Sequence, residues 1–156
     1  MNRKILDIVA LKEQISTEKS NHKKIVFTNG CFDILHVGHI RYLYEAKGYG
    51  DRLVVGVNSD HSVSRIKPGR PIIPQDQRLE VLAALEMVDY ITLFEDDIPL
   101  ELISAVEPDV LVKGADWALQ DIVGREFAIE VYRISYLEGI STSNIIEKIL
   151  AVYRKK

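Results

Sequence analysis

The stretch TNGCFDILHVGH, residues 28–39, follows the apolar run IVF and holds two histidines three positions apart around a glycine. The apolar run and the first residues of the stretch predict a short buried strand. From Val37 onward, apolar residues recur at Ile40 and Leu43 until Gly48, a spacing and an ending that are typical of a helix. The stretch is therefore predicted to be the turn between a strand and a helix.

Strand-like and helix-like segments alternate along the rest of the chain. The predicted strands are IVFTN, RLVVGVNSD, YITLF, DVLVKG and VYRISYL. Further helices are predicted over the first ~16 residues, from about 76 to 87, after Pro99 with Asp97 as N-cap, and from about 142 to 154. This alternation predicts an α/β fold, a Rossmann-like doubly wound parallel sheet of about five strands with helices on both faces. Residues 1–23 would form an N-terminal helix and connector, and residues 24–156 the main domain.

The composition limits the partners of the chain. It has 156 residues, 47% of them hydrophobic and 28% charged, and a net charge of −3, as expected for one globular domain. It has no basic excess of the kind that general nucleic-acid binding needs, and no run near the ~20 apolar residues that span a bilayer. Cys31 is the only cysteine, so no internal disulfide can form. We expect a cytoplasmic protein with small partners, and neither nucleic acid nor membrane among them.

Polar and glycine residues concentrate where four of the predicted strands end. These segments are TNGCFDILHVGH, NSDHSVSRIKPGRP, KGADW and EGISTSN. In open parallel sheets, ligands bind beyond the carboxyl ends of the strands, near the point where the strand order reverses. The basic connector at residues 61–74, with its three prolines, is long for a compact domain and is a candidate binding loop. The four segments are predicted to share one site.

The two histidines of the opening stretch suggest a phosphate site. The chain has no G-x-G-x-x-G and no G-K-[ST] segment, which argues against a dinucleotide dehydrogenase and a P-loop kinase. His36 and His39, three apart at a helix start, can face one point, and Gly38 leaves the backbone open there. The free N–H groups of the first helical turn favour an anion. Such a pair would stabilise charge that grows on a phosphate during displacement, although a cap or surface histidine is the alternative.

Several segments resemble those of a known enzyme family. FDILHVGHIRYL and EGISTSNIIEKI are similar to the H-x-G-H and I-S-T-T segments of the cytidylyltransferase-like nucleotidyltransferases. With LVVGVNSDHSV, KPGRPIIPQDQRLEVLAALEMVDY and PLELISAVEPDVLVKGADW, the match runs from about Lys24 to Leu150 and looks like the adenylyltransferase domain of the ADP-heptose synthase family. The resemblance implies that ATP and D-glycero-β-D-manno-heptose 1-phosphate react to ADP-heptose and pyrophosphate for lipopolysaccharide inner-core synthesis. It also implies a homodimer.

The resemblance also assigns roles to individual residues. His36 and His39 would flank the α-phosphate of ATP, and Lys67 would join them in catalysis. Nucleotide contacts are implied for Thr28, Asn29, Gly30, Cys31, Phe32, Asp33, Gly38, Lys113, Gly114, Asp116, Ser141, Thr142 and Ser143. Arg70 and Arg78 would neutralise a substrate phosphate. Mg²⁺ is expected with ATP, because the charge of the triphosphate must be partly neutralised, and its ligands stay open, with Asp33 and Asp116 as candidates.

Alternatives remain at several of these positions. Ser141, Thr142 and Ser143 could only cap the last helix, and the basic residues could be solvated surface, as expected for Lys47. KGADW, in which Ala115 stands where the family typically has glycine, lies between this family and the glycerol-3-phosphate cytidylyltransferases, the first alternative. A zinc module of Cys31 with the two histidines, a thiol hydrolase and a non-catalytic nucleotide binder are the others.

Overall fold

The computed structural model describes residues 3–154. The strands are β1 (Ile25–Gly30), β2 (Arg52–Asn58), β3 (Tyr90–Phe94), β4 (Val110–Gly114) and β5 (Glu130–Ile134). The helices are α1 (Ile8–Ser20), α2 (Val37–Lys47), α3 (Asp60–Ile66), α4 (Gln75–Ala83), α5 (Leu100–Val106) and α6 (Thr142–Tyr153). Two short 3₁₀ turns, Leu119–Asp121 and Arg125–Phe127, lie between β4 and β5. None of the described helices is both long and apolar enough to span a membrane.

All five strands form one parallel sheet in the order β3-β2-β1-β4-β5. The predicted α/β fold with a doubly wound parallel sheet of about five strands is confirmed. The chain builds β1, β2 and β3 outward to one side and then returns to place β4 on the other side of β1. The strand order therefore reverses between β1 and β4, the position where ligands bind in such sheets.

Side chains that alternate along the strands fill two hydrophobic layers. On β1, Val26 packs in one layer with residues of α2 and α4, whereas its neighbours Ile25 and Phe27 pack in the other with residues of α1 and α5. All three side chains are fully buried. Such strands are apolar on both faces, which explains why the sequence shows continuous apolar runs there. The prediction of helices on both faces is confirmed.

Helix α1 is shifted along the chain relative to the prediction, since it begins at Ile8, with Asp7 as N-cap, instead of in the first residues. The connector was expected to begin at Ser16, yet the helix continues to Ser20. The Thr17 hydroxyl donates to the carbonyl of Glu13 at 3.0 Å, and that of Ser20 to the carbonyl of Ser16 at 2.9 Å. Hydroxyl groups that bond back in this way are accommodated inside a helix, so a polar composition did not mark its end.

The helices around the basic connector also differ from the prediction. Helix α3 takes up residues 60–66, with Ser59 as N-cap, so the connector is shortened to residues 67–74. Helix α4 ends at Ala83 rather than near residue 87. Helix α5 begins at Leu100 with Pro99 as N-cap. The predicted N-cap Asp97 is wrong, because its carboxylate pairs with Arg65 of α3 at 2.7 Å.

Lys47 at the end of α2 is not the solvated charge that its position on the helix suggests. Its ammonium group donates to a carboxylate oxygen of Asp89 at 2.5 Å and to the carbonyl of Asp51 at 2.6 Å. Asp89 also accepts from the backbone N–H of Leu53 at 2.7 Å. The contact joins α2 to the amino end of β2 and to the residue before β3, which no local pattern predicts.

Candidate active site

A cavity of about 1010 Å³ opens at the carboxyl ends of the strands, beside the reversal point between β1 and β4. The structure brings the four predicted segments together around it. The predicted site residues that line it are Asn29, Gly30, Cys31, Phe32, Asp33, His36, Gly38, His39, Lys67, Arg70, Lys113, Gly114, Asp116, Ser141, Thr142 and Ser143. Its size is ample for a nucleotide together with a second substrate.

The two histidines lie against each other at the start of α2. Their rings stack with centroids 3.9 Å apart and an interplanar angle of 21°, and Phe32 covers His39 with its centroid at 5.4 Å. The Nδ1 atom of each ring is buried and bonds to none of the described residues. A Cβ atom at Gly38 would come within 3.0 Å of the His36 ring, so glycine makes room for this arrangement. The cavity is thus lined by two imidazole rings, each with a nitrogen atom that has no hydrogen-bond partner among the described residues.

Burial sets the protonation of this pair. Desolvation lowers the pKa of His36, and it lowers the pKa of His39 from 6.5 to about 4, with further contributions from His36 and Lys67. Both rings are therefore neutral at pH 7, and a neutral imidazole carries one donor N–H. The pair can donate hydrogen bonds to an anion without itself holding a full charge.

A side-chain contact spans the reversal point of the sheet. The Lys113 ammonium, at the end of β4, donates to the side-chain oxygen of Asn29, near the end of β1. Burial lowers the pKa of Lys113 to about 8. The contact fixes the spacing between the two strand ends that flank the cavity.

Asp33 anchors the basic connector beside the cavity. One carboxylate oxygen accepts the backbone N–H groups of Ile72 and Ile73, both at 2.8 Å, and the other accepts Arg70 at 2.8 Å. Burial opposes the charged form, but the bonds from Ile73, Arg70 and Ile72 outweigh it and hold the pKa of Asp33 below its ordinary value. Arg70 also donates to Ser143 at 3.2 Å. The connector, the turn between β1 and α2, and the start of helix α6 are therefore joined through the guanidinium of Arg70.

The N-terminus of α6 borders the cavity with three hydroxyl residues. Ser141 is the N-cap and accepts the backbone N–H of Asn144 at 3.1 Å. Thr142 donates to the carbonyl of Ile34 at 3.4 Å, and Ser143 accepts from Arg70. The capping alternative thus holds for Ser141, while all three residues also line the cavity.

Two predicted site residues do not reach the cavity. Thr28 is fully buried, and its hydroxyl shares a hydrogen bond of 2.8 Å with that of Tyr42. Arg78 is 1% exposed, and its guanidinium donates to the carbonyls of Ile73 and Cys31 and to the Asp60 carboxylate. The structure gives Arg78 a supporting position, since it ties α4 to the β1–α2 turn and to α3.

Comparison with protein families shows which family this chain matches. Residues 27–148 match the family model described as cytidylyltransferase-like. The chain belongs to the cytidylyltransferase-like family. The matched residues include both histidines and the whole cavity lining, so the family predicted from the sequence is confirmed.

Relatives of this cytidylyltransferase-like chain include longer proteins. The Bifunctional protein HldE of Citrifermentans bemidjiense is 50% identical over 155 residues, which cover 96% of this chain and 32% of that protein. The Bifunctional protein HldE of Helicobacter pylori (strain HPAG1) is 51% identical over 143 residues, covering 91% of this chain and 31% of that protein. The chain thus spans about a third of the length of these curated relatives.

Two solved structures resemble this member of the family. The lipopolysaccharide core biosynthesis protein from Thermoplasma volcanium is 34% identical, with a TM-score of 0.65 over 74% of this chain and 99% of that one. A pantoate-β-alanine ligase from Francisella tularensis, solved with β-γ ATP and β-alanine, has a TM-score of 0.57 over 94% of this chain and 78% of that one. The ligase is 16% identical, so it shares the fold alone.

Sequence reasoning missed several lining residues of this cytidylyltransferase-like site. Asn58, at the end of β2, lines the cavity and donates to Ser62 at 3.0 Å. Asn58 lies in NSDHSVSRIKPGRP, one of the four segments predicted to share the site, so its position in the sequence could have identified it as a site residue. Tyr136 and Asn144 also line the cavity. Tyr136 falls in the predicted fifth strand VYRISYL, but β5 ends at Ile134 and the chain after it is irregular, so the strand pattern did not place Tyr136 at the cavity.

The described residues build no metal site of their own. Among residues 3–154 no group of three or more His, Cys, Asp or Glu side chains is arranged to hold a metal ion. Asp33, one of the two candidates, already accepts three hydrogen bonds. Cys31 lines the cavity, and burial raises the pKa of its thiol despite the nearby charges of Lys67 and Arg78. A protonated thiol is not a nucleophile.

Proposed function

We propose that this chain is an adenylyltransferase that joins ATP and D-glycero-β-D-manno-heptose 1-phosphate to give ADP-heptose and pyrophosphate. The observation that carries the proposal is the stacked, neutral His36–His39 pair at a helix start inside the large cavity. The substrate assignment rests on the sequence resemblance and is supported by the relatives named Bifunctional protein HldE. The solved lipopolysaccharide core biosynthesis protein also supports it.

The proposed reaction is a direct displacement at the α-phosphorus of ATP. An oxygen of the sugar phosphate forms the new bond to that phosphorus, and the bond from the same phosphorus to the bridging oxygen of pyrophosphate breaks. The attacking phosphate oxygen is already ionised, so no general base is needed. The two imidazoles donate to the oxygens on which negative charge grows, and such preorganised donors stabilise a transition state more than a ground state.

The connector supplies positive charge to the same cavity. Lys67 is exposed on the cavity side of the connector, and none of the described residues pairs with its ammonium group. Arg70 is held by Asp33 and Ser143, so its charge is fixed in place. We propose that Lys67 binds a substrate phosphate as a mobile charge, and that Arg70 contributes from an anchored position. A flexible ammonium and a fixed guanidinium suit these two tasks.

Mg²⁺ belongs to the proposal as part of the substrate. Magnesium is commonly bound through substrate phosphates, one or two carboxylates and water, and does not need a protein cage. That mode agrees with a site whose described residues form no metal cluster. Asp116, which lines the cavity, is the residue that would contact the ion. When bound with ATP, the ion neutralises part of the triphosphate charge.

The proposal includes a cytoplasmic homodimer, since the reaction consumes ATP and the family resemblance favours two copies. Helix α6 has no buried residue and leaves Ile149, Leu150, Val152 and Tyr153 exposed, which supports an interface there. Light scattering after gel filtration measures the mass in solution. A strictly monomeric protein at working concentration would contradict the homodimer and leave the proposed reaction unaffected.

The test of the function is a pyrophosphate-release panel that crosses ATP and CTP with heptose 1-phosphate and glycerol 3-phosphate. We expect ATP with heptose 1-phosphate to give the fastest turnover. Faster turnover of CTP with glycerol 3-phosphate would reassign the substrates to the first alternative, and the displacement at the histidine pair would remain. Nucleotide binding without pyrophosphate release from any pair would indicate a binding module.

A further inference from the structure

Tyr136 lies over the end of β4, inside the cavity. The chain leaves β5 at Ile134, and Tyr136 follows two residues later, folded back across the sheet edge. A Cβ atom added at Gly114 would overlap the hydroxyl oxygen of Tyr136 and the ring carbon that carries it. The phenol ring therefore occupies the space that any other residue at position 114 would fill. Glycine at the end of β4 is what lets the aromatic ring reach this place.

The Tyr136 ring is supported from one side and open on the other. It stacks on the ring of Tyr42, with centroids 6.2 Å apart and planes inclined by 23°. Tyr42 is itself rigidly held, because it is buried and its hydroxyl bonds to Thr28 and to the carbonyl of Val112. Tyr136 is nevertheless 58% exposed. One face of a positioned aromatic ring is thus available to a ligand in the cavity.

The surroundings of Tyr136 differ from those of the phosphate-binding groups. Lys67 and Arg70 reach the cavity from the connector, whereas Tyr136, Trp117 and Ile122 line it from the segments that follow β4 and β5. The hydroxyl of Tyr136 bonds to none of the described residues, and burial raises its pKa, with a contribution from Asp116, so it stays protonated at neutral pH. Tyr136 thus offers the cavity a planar apolar surface with one free polar group.

From this geometry we infer that Tyr136 is the platform on which the nucleobase stacks. The inference rests on the proposed function, since it places the base of the nucleotide substrate within the same cavity. A base has a π-face that a sugar phosphate lacks, and base–aromatic stacks are sequence-tolerant and substantial. The ring of Tyr136 would anchor the base end, while the histidines and the connector hold the phosphates.

The test compares ATP with inorganic tripolyphosphate, which carries the charge of ATP without a base. Isothermal titration measures the binding of each to the wild-type protein and to Tyr136→Ala, Tyr136→Phe and Tyr136→Leu. We expect Tyr136→Ala and Tyr136→Leu to weaken ATP binding by about tenfold or more and Tyr136→Phe to keep it, because phenylalanine retains the π-face. Tripolyphosphate affinity should change little in all three. Tyr44→Ala is the matched control, since Tyr44 is 73% exposed on α2 and does not line the cavity.

The outcomes separate this inference from the function on which it rests. A wild-type protein that binds tripolyphosphate but does not bind ATP would overturn both the platform and the proposed function. Normal ATP binding by Tyr136→Ala, in a wild type that does bind ATP, overturns the platform and leaves the function intact. An equal loss for ATP and tripolyphosphate also overturns the platform, because the ring would then act through the shape of the cavity. If Tyr136→Ala does not fold, Tyr136→Leu decides, since it retains apolar volume without an aromatic face.

Discussion

The imidazole rings of His36 and His39 stack at a centroid separation of 3.9 Å, with both Nδ1 atoms buried. At this distance a charge on one ring opposes a charge on the other, and burial acts in the same direction. The pair therefore stays neutral over the ordinary working range of pH. In the proposed reaction, the pair would contribute directional hydrogen bonds to a phosphate, rather than a permanent positive charge.

Replacing either histidine should remove most of the activity. We expect His36→Ala and His39→Ala each to lower kcat by ~10² or more, the scale of losing one preorganised donor to a developing oxyanion. The melting temperature should change little, because neither Nδ1 atom bonds to the described residues. Steady-state pyrophosphate release and thermal unfolding check this. His61→Ala, at an exposed position of α3, is the control, and a variant that retains near-normal kcat would contradict the role of that histidine.

The stability of the protein should fall as the pH falls from 6.5 towards 4. In that window the unfolded chain takes up a proton at His39 that the folded protein resists, because its folded pKa is lowered to about 4. We expect the urea midpoint of the wild type to decrease over this range and that of His39→Gln to decrease less. Glu18 and Asp33, whose pKa values are lowered by their partners, begin to lose their contributions near the lower end of this window, and they do so in both proteins alike. If the urea midpoint decreases equally with pH in both proteins, His39 does not titrate in this way.

Replacing Cys31 should leave the reaction intact. Burial raises the pKa of the thiol, so the sulfur is protonated at neutral pH, and direct displacement has no use for a thiol nucleophile. We expect Cys31→Ser to keep kcat within a small factor, while alkylation weakens ATP binding by crowding the cavity. Titration with ATP separates binding from turnover. A folded Cys31→Ser protein that binds ATP but has no activity would favour a thiol enzyme.

Lys67 should matter for catalysis and not for folding. Lys67 lines the cavity and its ammonium group pairs with none of the described residues, so Lys67→Ala removes no hydrogen bond or ion pair among them. We expect kcat/KM to fall by ~10-fold or more, since the lost charge would act on the transferring phosphate. The melting temperature should stay the same. Lys12→Ala on the exposed side of α1 is the control, and matching small effects at both positions would assign Lys67 to the solvated surface.

Asp33 should stabilise the connector. Asp33→Ala leaves the backbone N–H groups of Ile72 and Ile73 and the Arg70 guanidinium without their acceptor, and we expect the loss of these partly buried bonds to cost about 1–3 kcal/mol. Urea unfolding measures this loss. The exposed partner of Arg65, Asp97, gives a matched control, because Asp97→Ala breaks a surface ion pair worth roughly 0–1 kcal/mol. If both variants lose the same stability, the connector is not held through Asp33.

The parts that sequence reasoning predicted correctly are those with a repeating pattern. Alternation of apolar strands with amphipathic helices fixes a parallel sheet, and parallel strands bring their carboxyl ends to one edge. For that reason His36, Lys113 and Ser141, far apart in the chain, could be expected at one site, and all three line the cavity. A topological rule was sufficient, without knowledge of any single contact.

The residues that escaped prediction depend on contacts between distant positions. Arg78 was expected to meet a phosphate, as arginine is rarely buried, yet it is fully enclosed by partners from three segments. Asp33 meets Arg70 across 37 positions of the chain. Tyr136 reaches the cavity only because Gly114 leaves space for its ring. Local spacing carries no information about such pairs.

The contact of Lys113 with Asn29 joins positions 84 residues apart. During synthesis Asn29 leaves the ribosome well before Lys113, so a nascent chain that already holds β1, β2 and β3 still lacks one wall of the pocket. Until β4 has inserted beside β1, ATP would thus meet only the part of the site built by the histidines and the connector. Because a ligand that binds only the finished state shifts the equilibrium towards it, the nucleotide would act as a late check on the assembly of the sheet.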